Sequence, residues 1–153
     1  MMDVKQEKNW AIACHAASLA WIPLSLIGIG AIPFLNIIAP AVIWYLKKDE
    51  SKLIDEHGKE STNFQISMAI YGVVAGIAFM VLIGIFIFFL LIVGATEGNF
   101  FAVLLSFVTG FGFILAVGLM LAIAIFQVIV VINAAMKAKN GEMYRYPFNL
   151  RLL

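Results

Sequence analysis

Charge is what this sequence has least of. Only 12% of its 153 residues are Asp, Glu, Lys or Arg, about half the share of an ordinary soluble domain. The 63% that are apolar, with a mean hydropathy of +1.02, exceed what so short a chain can bury within itself, because small domains leave much of their surface exposed. A soluble globular fold is therefore excluded, and lipid is the solvent. The net charge of +1 gives no field for a polyanion, so no nucleic-acid partner is expected. With one cysteine, Cys14, there is no intrachain disulfide, and its place in an apolar run reads as packing. Nucleotide loops, zinc-ligand spacings and catalytic triads are all absent from the sequence, and Cys14 and His15, being adjacent, point apart on a helix. The chain reads as a non-enzyme with no cofactor and no metal site.

What charge there is falls in three clusters: residues 1–8, residues 47–60, and a tail carrying Lys137, Lys139, Arg145 and Arg151. Between them run uncharged stretches, 9–46 and 61–136, the second interrupted only by Glu97. A bilayer span takes about 20 apolar residues, so the expected fold is all-α: a polytopic integral membrane protein with four transmembrane helices. These fall at about 9–27, 33–46, 64–94 and 113–139, in a single membrane domain covering 1–153. Gly28 to Pro33 breaks the first hairpin. The second helix, at about 21 Å, is shorter than the roughly 30 Å hydrocarbon core. Residues 47–63 read as a charged loop with Asn63 as the N-cap of the third helix. Gly110 and Gly112 read as a break that leaves Phe100–Thr109 a short interfacial or re-entrant helix after a turn at Gly94, Gly98 and Asn99. Asn140 and Gly141 give the last C-cap. Four spans put every Lys and Arg on one side, so the chain is expected in the cell's inner membrane with both termini, loop 47–63 and tail 140–153 cytoplasmic.

Polar residues inside apolar stretches are costly unless they meet protein or water. His15, Asn36, Gln127 and Asn133 are therefore candidates for a polar path or for helix contacts, with Gln127 placed near the bilayer midplane by its distance from Lys137. Gly72, Gly76 and Gly84 share one helix face at small-residue spacing and are candidate packing positions. Trp10, Trp44, Tyr45, Tyr144 and Tyr146 flank the charge clusters as an interfacial belt would.

Three stretches carry a family resemblance: Trp44-Tyr45-Leu46-Lys47-Lys48-Asp49-Glu50; Asp55-Glu56-His57-Gly58-Lys59-Glu60 running on to Asn63-Phe64-Gln65; and Gly141-Glu142-Met143-Tyr144-Arg145-Tyr146-Pro147. In this order, with His15 ahead of the hairpin, they resemble a family of small prokaryotic membrane proteins of unknown function, distantly similar to the chloroplast inner-envelope protein-import (Tic) channel subunit. The resemblance implies four membrane helices, no known enzymatic activity and, from the plastid relatives, a role in translocation. Physically, the second and third stretches suggest a cytoplasmic face in which loop and tail pack together, Arg145 pairing with Asp55, Glu56 or Glu60. The expected function is a subunit or homo-oligomer in transport or protein translocation. The alternative is a scaffold that binds lipid or partners in a larger membrane complex.

Overall fold

The computed structural model describes residues 2–28, 34–95 and 100–153, and every regular element among them is helical. The helices are α1 (Val4–Ala16), α2 (Trp21–Leu26), α3 (Leu35–Lys47), α4 (Lys52–Ala95) and α5 (Phe100–Asn140). A 3-10 turn, Ala17–Leu19, joins α1 to α2. Pro33, Gly98 and Asn99, to which the sequence assigns a helix start and part of a turn, lie outside the described residues, and Gly94, assigned to the same turn, is still helical near the end of α4.

The expected loop 47–63 is mostly helix. α4 begins at Lys52, where the Ser51 hydroxyl accepts the Leu53 N–H at 3.2 Å as an N-cap. Opposite charges at four-residue spacing then support the first turns, with Lys59–Asp55 at 2.9 Å and Lys52–Glu56 at 3.7 Å. The charge density that suggested a solvated connector is thus the solvated side of a helix, and Asn63 sits eleven residues after Lys52 in its interior rather than at its start.

The expected break at Gly110 and Gly112 is absent, and Phe100–Thr109 is the beginning of α5. Each glycine costs about 1 kcal/mol against alanine in a helix, but opening the backbone in lipid would leave N–H and C=O groups unpaired, which costs more. Gly110 also makes room: a Cβ there would stand 3.3 Å from the Phe86 ring. The C-cap does fall at Asn140–Gly141. Gly141 is left-handed at φ +80°, and the Glu142 N–H reaches the Lys137 carbonyl at 3.0 Å while that of Gly141 reaches Ala138 at 2.9 Å, a Schellman closure.

The chain divides into two compact units. One comprises residues 70–125. Within it α4 and α5 meet through phenylalanines, Phe113 stacking on Phe79 at 5.2 Å and on Phe86 at 6.3 Å. The other comprises residues 1–69 and 126–153 and holds nearly all of the buried residues. Its apolar core is Phe64, Val130, Val131, Ala134 and Tyr146. Here α3 packs on α4 through Gly58, where an added Cβ would lie 2.5 Å from Trp44 Cβ and Cγ, and the Trp44 indole N–H is fixed by Asp55 at 2.8 Å. Gly58 therefore serves close helix approach. Gly72, Gly76 and Gly84 are the opposite case, since a Cβ on any of them would meet nothing within 4 Å among the described residues.

Candidate functional site

Helical spacing of four places His57, Ser61 and Gln65 on one face of α4, all buried. Around this face the remaining buried polar side chains, Thr62 apart, assemble in three groups.

The first group contains both histidines of the chain. His15 Nε2 lies 2.8 Å from His57 Nδ1, and His15 Nδ1 lies 2.9 Å from the Tyr146 hydroxyl. His15 and His57 have no exposed surface, and Tyr146 retains 3%. The Ser61 hydroxyl donates to the Cys14 carbonyl at 2.8 Å. Ser18 donates to the His15 carbonyl at 2.7 Å, so two hydroxyls satisfy the carbonyls that the end of α1 leaves open. Tyr146 is stacked flat on Phe64, centroids 4.1 Å apart, with Tyr144 edge-on at 5.1 Å. His15 is therefore held at a buried junction of α1, α4 and the tail, and Tyr146 is an anchor in the core rather than part of an interfacial belt.

Burial dominates the electrostatics of this group. It pushes the His15 imidazolium down to about 3, helped by neighbouring His57, and lowers His57 as well against the partial support of Glu56 and Glu60. Both rings are neutral at pH 7. Burial likewise raises Tyr146 well above the ordinary phenol range and Cys14 up to about 12, so neither offers an anion for nucleophilic chemistry.

The second group is a triad of amides. Gln65 Oε1 accepts from Gln127 Nε2 at 2.8 Å and from Asn36 Nδ2 at 3.1 Å, joining α3, α4 and α5 at one atom. Asn133 is half-buried one helical stretch further along α5. Of the intramembrane candidates, the structure thus brings Asn36 and Gln127 together on Gln65, and His15 onto His57.

The third group holds the non-helical tail along α4. Glu60 Oε2 accepts from Asn149 Nδ2 at 2.8 Å and from the Tyr146 N–H at 3.4 Å. Asn63 Oδ1 accepts the N–H groups of Leu152 and Leu153, both at 2.9 Å, and the Ser67 hydroxyl accepts that of Leu150 at 3.0 Å. Loop and tail do pack together as expected, but the cation is different. Arg151 pairs with Glu60 at 3.5 Å, while Arg145 is exposed on a cleft that it shares with Glu56, Lys59 and Glu60. Asp55 is taken by Trp44 and Lys59, Glu56 by Lys52, and Pro147 is half-buried beside Tyr146. Although burial opposes it, the bonds from Trp44 and Lys59 and the charges of Lys59 and Lys48 hold the Asp55 carboxyl below its usual range.

Sequence reasoning missed Ser61, Ser67, Asn149 and Arg151. Ser61 and Ser67 would have followed from treating residues 52–67 as helix, since the four-residue spacing of His57, Ser61 and Gln65 then becomes visible. Three buried atoms have no hydrogen-bond partner among the described residues: His57 Nε2, Thr62 Oγ1 and Gln65 Nε2. No group of three or more His, Cys, Asp or Glu able to hold a metal ion occurs among the described residues.

The sequence profile of the magnetosome magnetite crystal formation protein family, MamF/MmsF, matches residues 6–153. No curated protein and no solved structure matches the chain. The match covers nearly the whole sequence, so the chain belongs to that family, a magnetosome membrane protein family, and association with a membrane follows from the family together with the two long apolar helices.

Proposed function

We propose that this member of the magnetosome magnetite crystal formation protein family is a non-enzymatic, multi-pass membrane protein that acts in crystal formation as a scaffold, not as a conduit. The observation that carries the reading is the composition of residues 70–125. The described part of this stretch contains only three polar side chains, Tyr71, Ser106 and Thr109. The Ser106 and Thr109 hydroxyls are spent on their own helix, donating to the Ala102 and Leu105 carbonyls at 2.8 and 2.9 Å. A path for ions, solutes or unfolded peptide needs groups that replace water, and transport or translocation therefore has no lining here to use.

In this reading the membrane is crossed by 70–95 and 100–125, 26 residues or about 39 Å each, close to the 40–45 Å of a whole bilayer. α2 and α3, about 9 and 20 Å long, are too short to span. The exposed Leu26 and Ile38 within them, and Ile27 and Phe34 capping them, suit the cytoplasmic leaflet, giving two full spans in place of four. Both termini and the charged start of α4 face the cytoplasm by the positive-inside rule. The polar network of residues 1–69 and 126–153 then lies outside the spans. Partners are the bilayer and, through the unoccupied Gly72, Gly76 and Gly84 face, further copies or neighbouring membrane proteins, which crosslinking in native membranes identifies.

Two measurements test the function. Reconstituted in liposomes, the protein is expected to pass no ions, small solutes or unfolded peptide above the protein-free background at any potential, and flux would overturn the scaffold. In a magnetite-forming cell, deletion is expected to change crystal size or number, and unchanged crystals would remove the role in mineral formation.

A further inference from the structure

We propose that the C-terminal segment 143–153 is a latch on α4, released when the His15–His57 pair takes up a proton. Of residues 141–153 only Tyr146 is buried, so the segment has one interior anchor, and that anchor is hydrogen-bonded to a histidine.

The bonds run in one direction at a time. If Tyr146 donates to His15 Nδ1, then His15 donates from Nε2 to His57 Nδ1, and His57 carries its proton on the unpartnered Nε2. If the chain runs the other way, His57 Nδ1–H donates to His15 Nε2 and His15 Nδ1–H donates to the Tyr146 oxygen. His57 Nε2 is then a bare lone pair. Both neutral arrangements keep the His15–His57 and His15–Tyr146 bonds. A proton added to the second lands on His57 Nε2, leaves the other bonds in place, and puts a full charge on a buried nitrogen that has no hydrogen-bond partner among the described residues.

The surroundings do little to offset that charge. The titratable neighbours are Cys14 from α1, Glu56 and Glu60 from α4, and Tyr144 and Tyr146 from the segment itself. α5 supplies the apolar wall of Val130, Val131 and Ala134. The cations at the end of α3, Lys47 and the capping Lys48, lie over the rings of Trp10, Trp44 and Tyr45. Glu60, the acid best placed to answer, is already engaged with Asn149, Arg151 and the Tyr146 N–H. Relief comes from wetting the pair. Lifting Tyr146 does that, and the contacts that remain, at Glu60, Asn63 and Ser67, are made by tail residues that are themselves half-buried or exposed.

The sign follows from burial. His15 in the docked state is lowered to about 3 from an ordinary 6.5, so the docked form binds fewer protons than the released form between those values. Docking is complete above pH 6.5 and weakens as pH falls. One imidazole freed on release raises the released-to-docked ratio about 30-fold between pH 7.5 and 5. Release would bare the Glu60, Asn63 and Ser67 face of α4, which is built to accept backbone N–H groups. This inference uses residues 1–69 and 126–153 alone and stands apart from the scaffold reading.

The test uses the full-length protein in nanodiscs, with a spin label at Met143→Cys in a Cys14→Ser background. The mobile fraction of the label is expected to rise steeply from pH 7.5 to 5 in the presence of both histidines and to stay flat in the His15→Gln/His57→Gln variant. Because the chain has two histidines, histidine-selective 15N labelling of the otherwise unaltered protein reads the pair directly and needs no substitution. Loss of the neutral imidazole signals is expected to coincide with label release. A label that stays immobile at pH 5, that moves while both imidazoles remain neutral, or that responds equally without histidines would overturn the latch.

Discussion

Replacing Gly58 by alanine tests the packing of α3 on α4 at one methyl group. The added Cβ would sit 2.5 Å from Trp44 Cβ and Cγ, about 1 Å inside ordinary van der Waals contact. Trp44 cannot swing aside cheaply, because one clashing atom is bonded to its backbone and its indole N–H is held by Asp55 at 2.8 Å. The helices must therefore part, and overpacking of this kind costs about 1–3 kcal/mol. Loosening the Trp44–Asp55 bond adds about 1 kcal/mol, and alanine's better helix propensity returns about 1 kcal/mol. The expected net loss is about 2 kcal/mol, or a fall of roughly 4–8 °C in melting temperature for a chain of this size. Gly72→Ala, Gly76→Ala and Gly84→Ala are the controls. Nothing among the described residues stands within 4 Å of their added methyls, so each is expected to be neutral or to stabilise by up to about 1 kcal/mol. The assay is thermal unfolding of the detergent-solubilised protein followed by tryptophan fluorescence, in which Trp44 should also become more exposed in Gly58→Ala. A Gly58→Ala protein that melts with or above the unaltered chain, while Gly72→Ala or Gly76→Ala melts lower, would refute the reasoning.

Gln65→Leu is expected to cost more than Gln127→Leu or Asn36→Leu, about 1–3 kcal/mol, because it strands two amide donors where each of the others strands none; equal melting temperatures for the three would contradict the shared acceptor. Stability is expected to fall by about 2 kcal/mol for His15 alone between pH 7.5 and 5, since its folded value lies near 3 and its unfolded value near 6.5. Denaturant titration at the two pH values should show that slope, and the His15→Gln/His57→Gln variant should lose it. Arg145→Ala, at an exposed position, should change stability by less than about 0.5 kcal/mol, whereas Glu60→Ala should cost about 2 kcal/mol by freeing the Tyr146 N–H, Asn149 and Arg151 together. The reverse ranking in a melting series would restore Arg145 as the pairing cation.

The helical, lipid-solvated class was legible from hydropathy, and so was the cap at Asn140–Gly141, because each rests on local composition. The meeting of charged segment and tail was legible too, in Glu60 as the acid though not in Arg151 as its partner. What misled was reading charge density as loop. Lys52, Asp55, Glu56 and Lys59 alternate in sign at helical spacing, and that pattern outweighs their number. Gly110 and Gly112 misled for a related reason, since a glycine that breaks a helix in water is kept helical where no water can take the freed backbone groups. The junction of His15, His57 and Tyr146 joins residues 42 and 131 positions apart, and no spacing rule connects them. It becomes visible only when α1 and the tail are laid on the same face of α4.

The claim on which the scaffold reading turns is that two segments cross the bilayer while the N-terminal helices stay on the cytoplasmic side. Cysteines placed singly at Ala31 and Glu97 in a Cys14→Ser background, probed in intact cells with a membrane-impermeant maleimide, test it directly. Glu97→Cys is expected to react from outside and Ala31→Cys to be protected until the membrane is opened. Reaction of Ala31→Cys in intact cells as fast as Glu97→Cys would mean four spans, and would contradict the account.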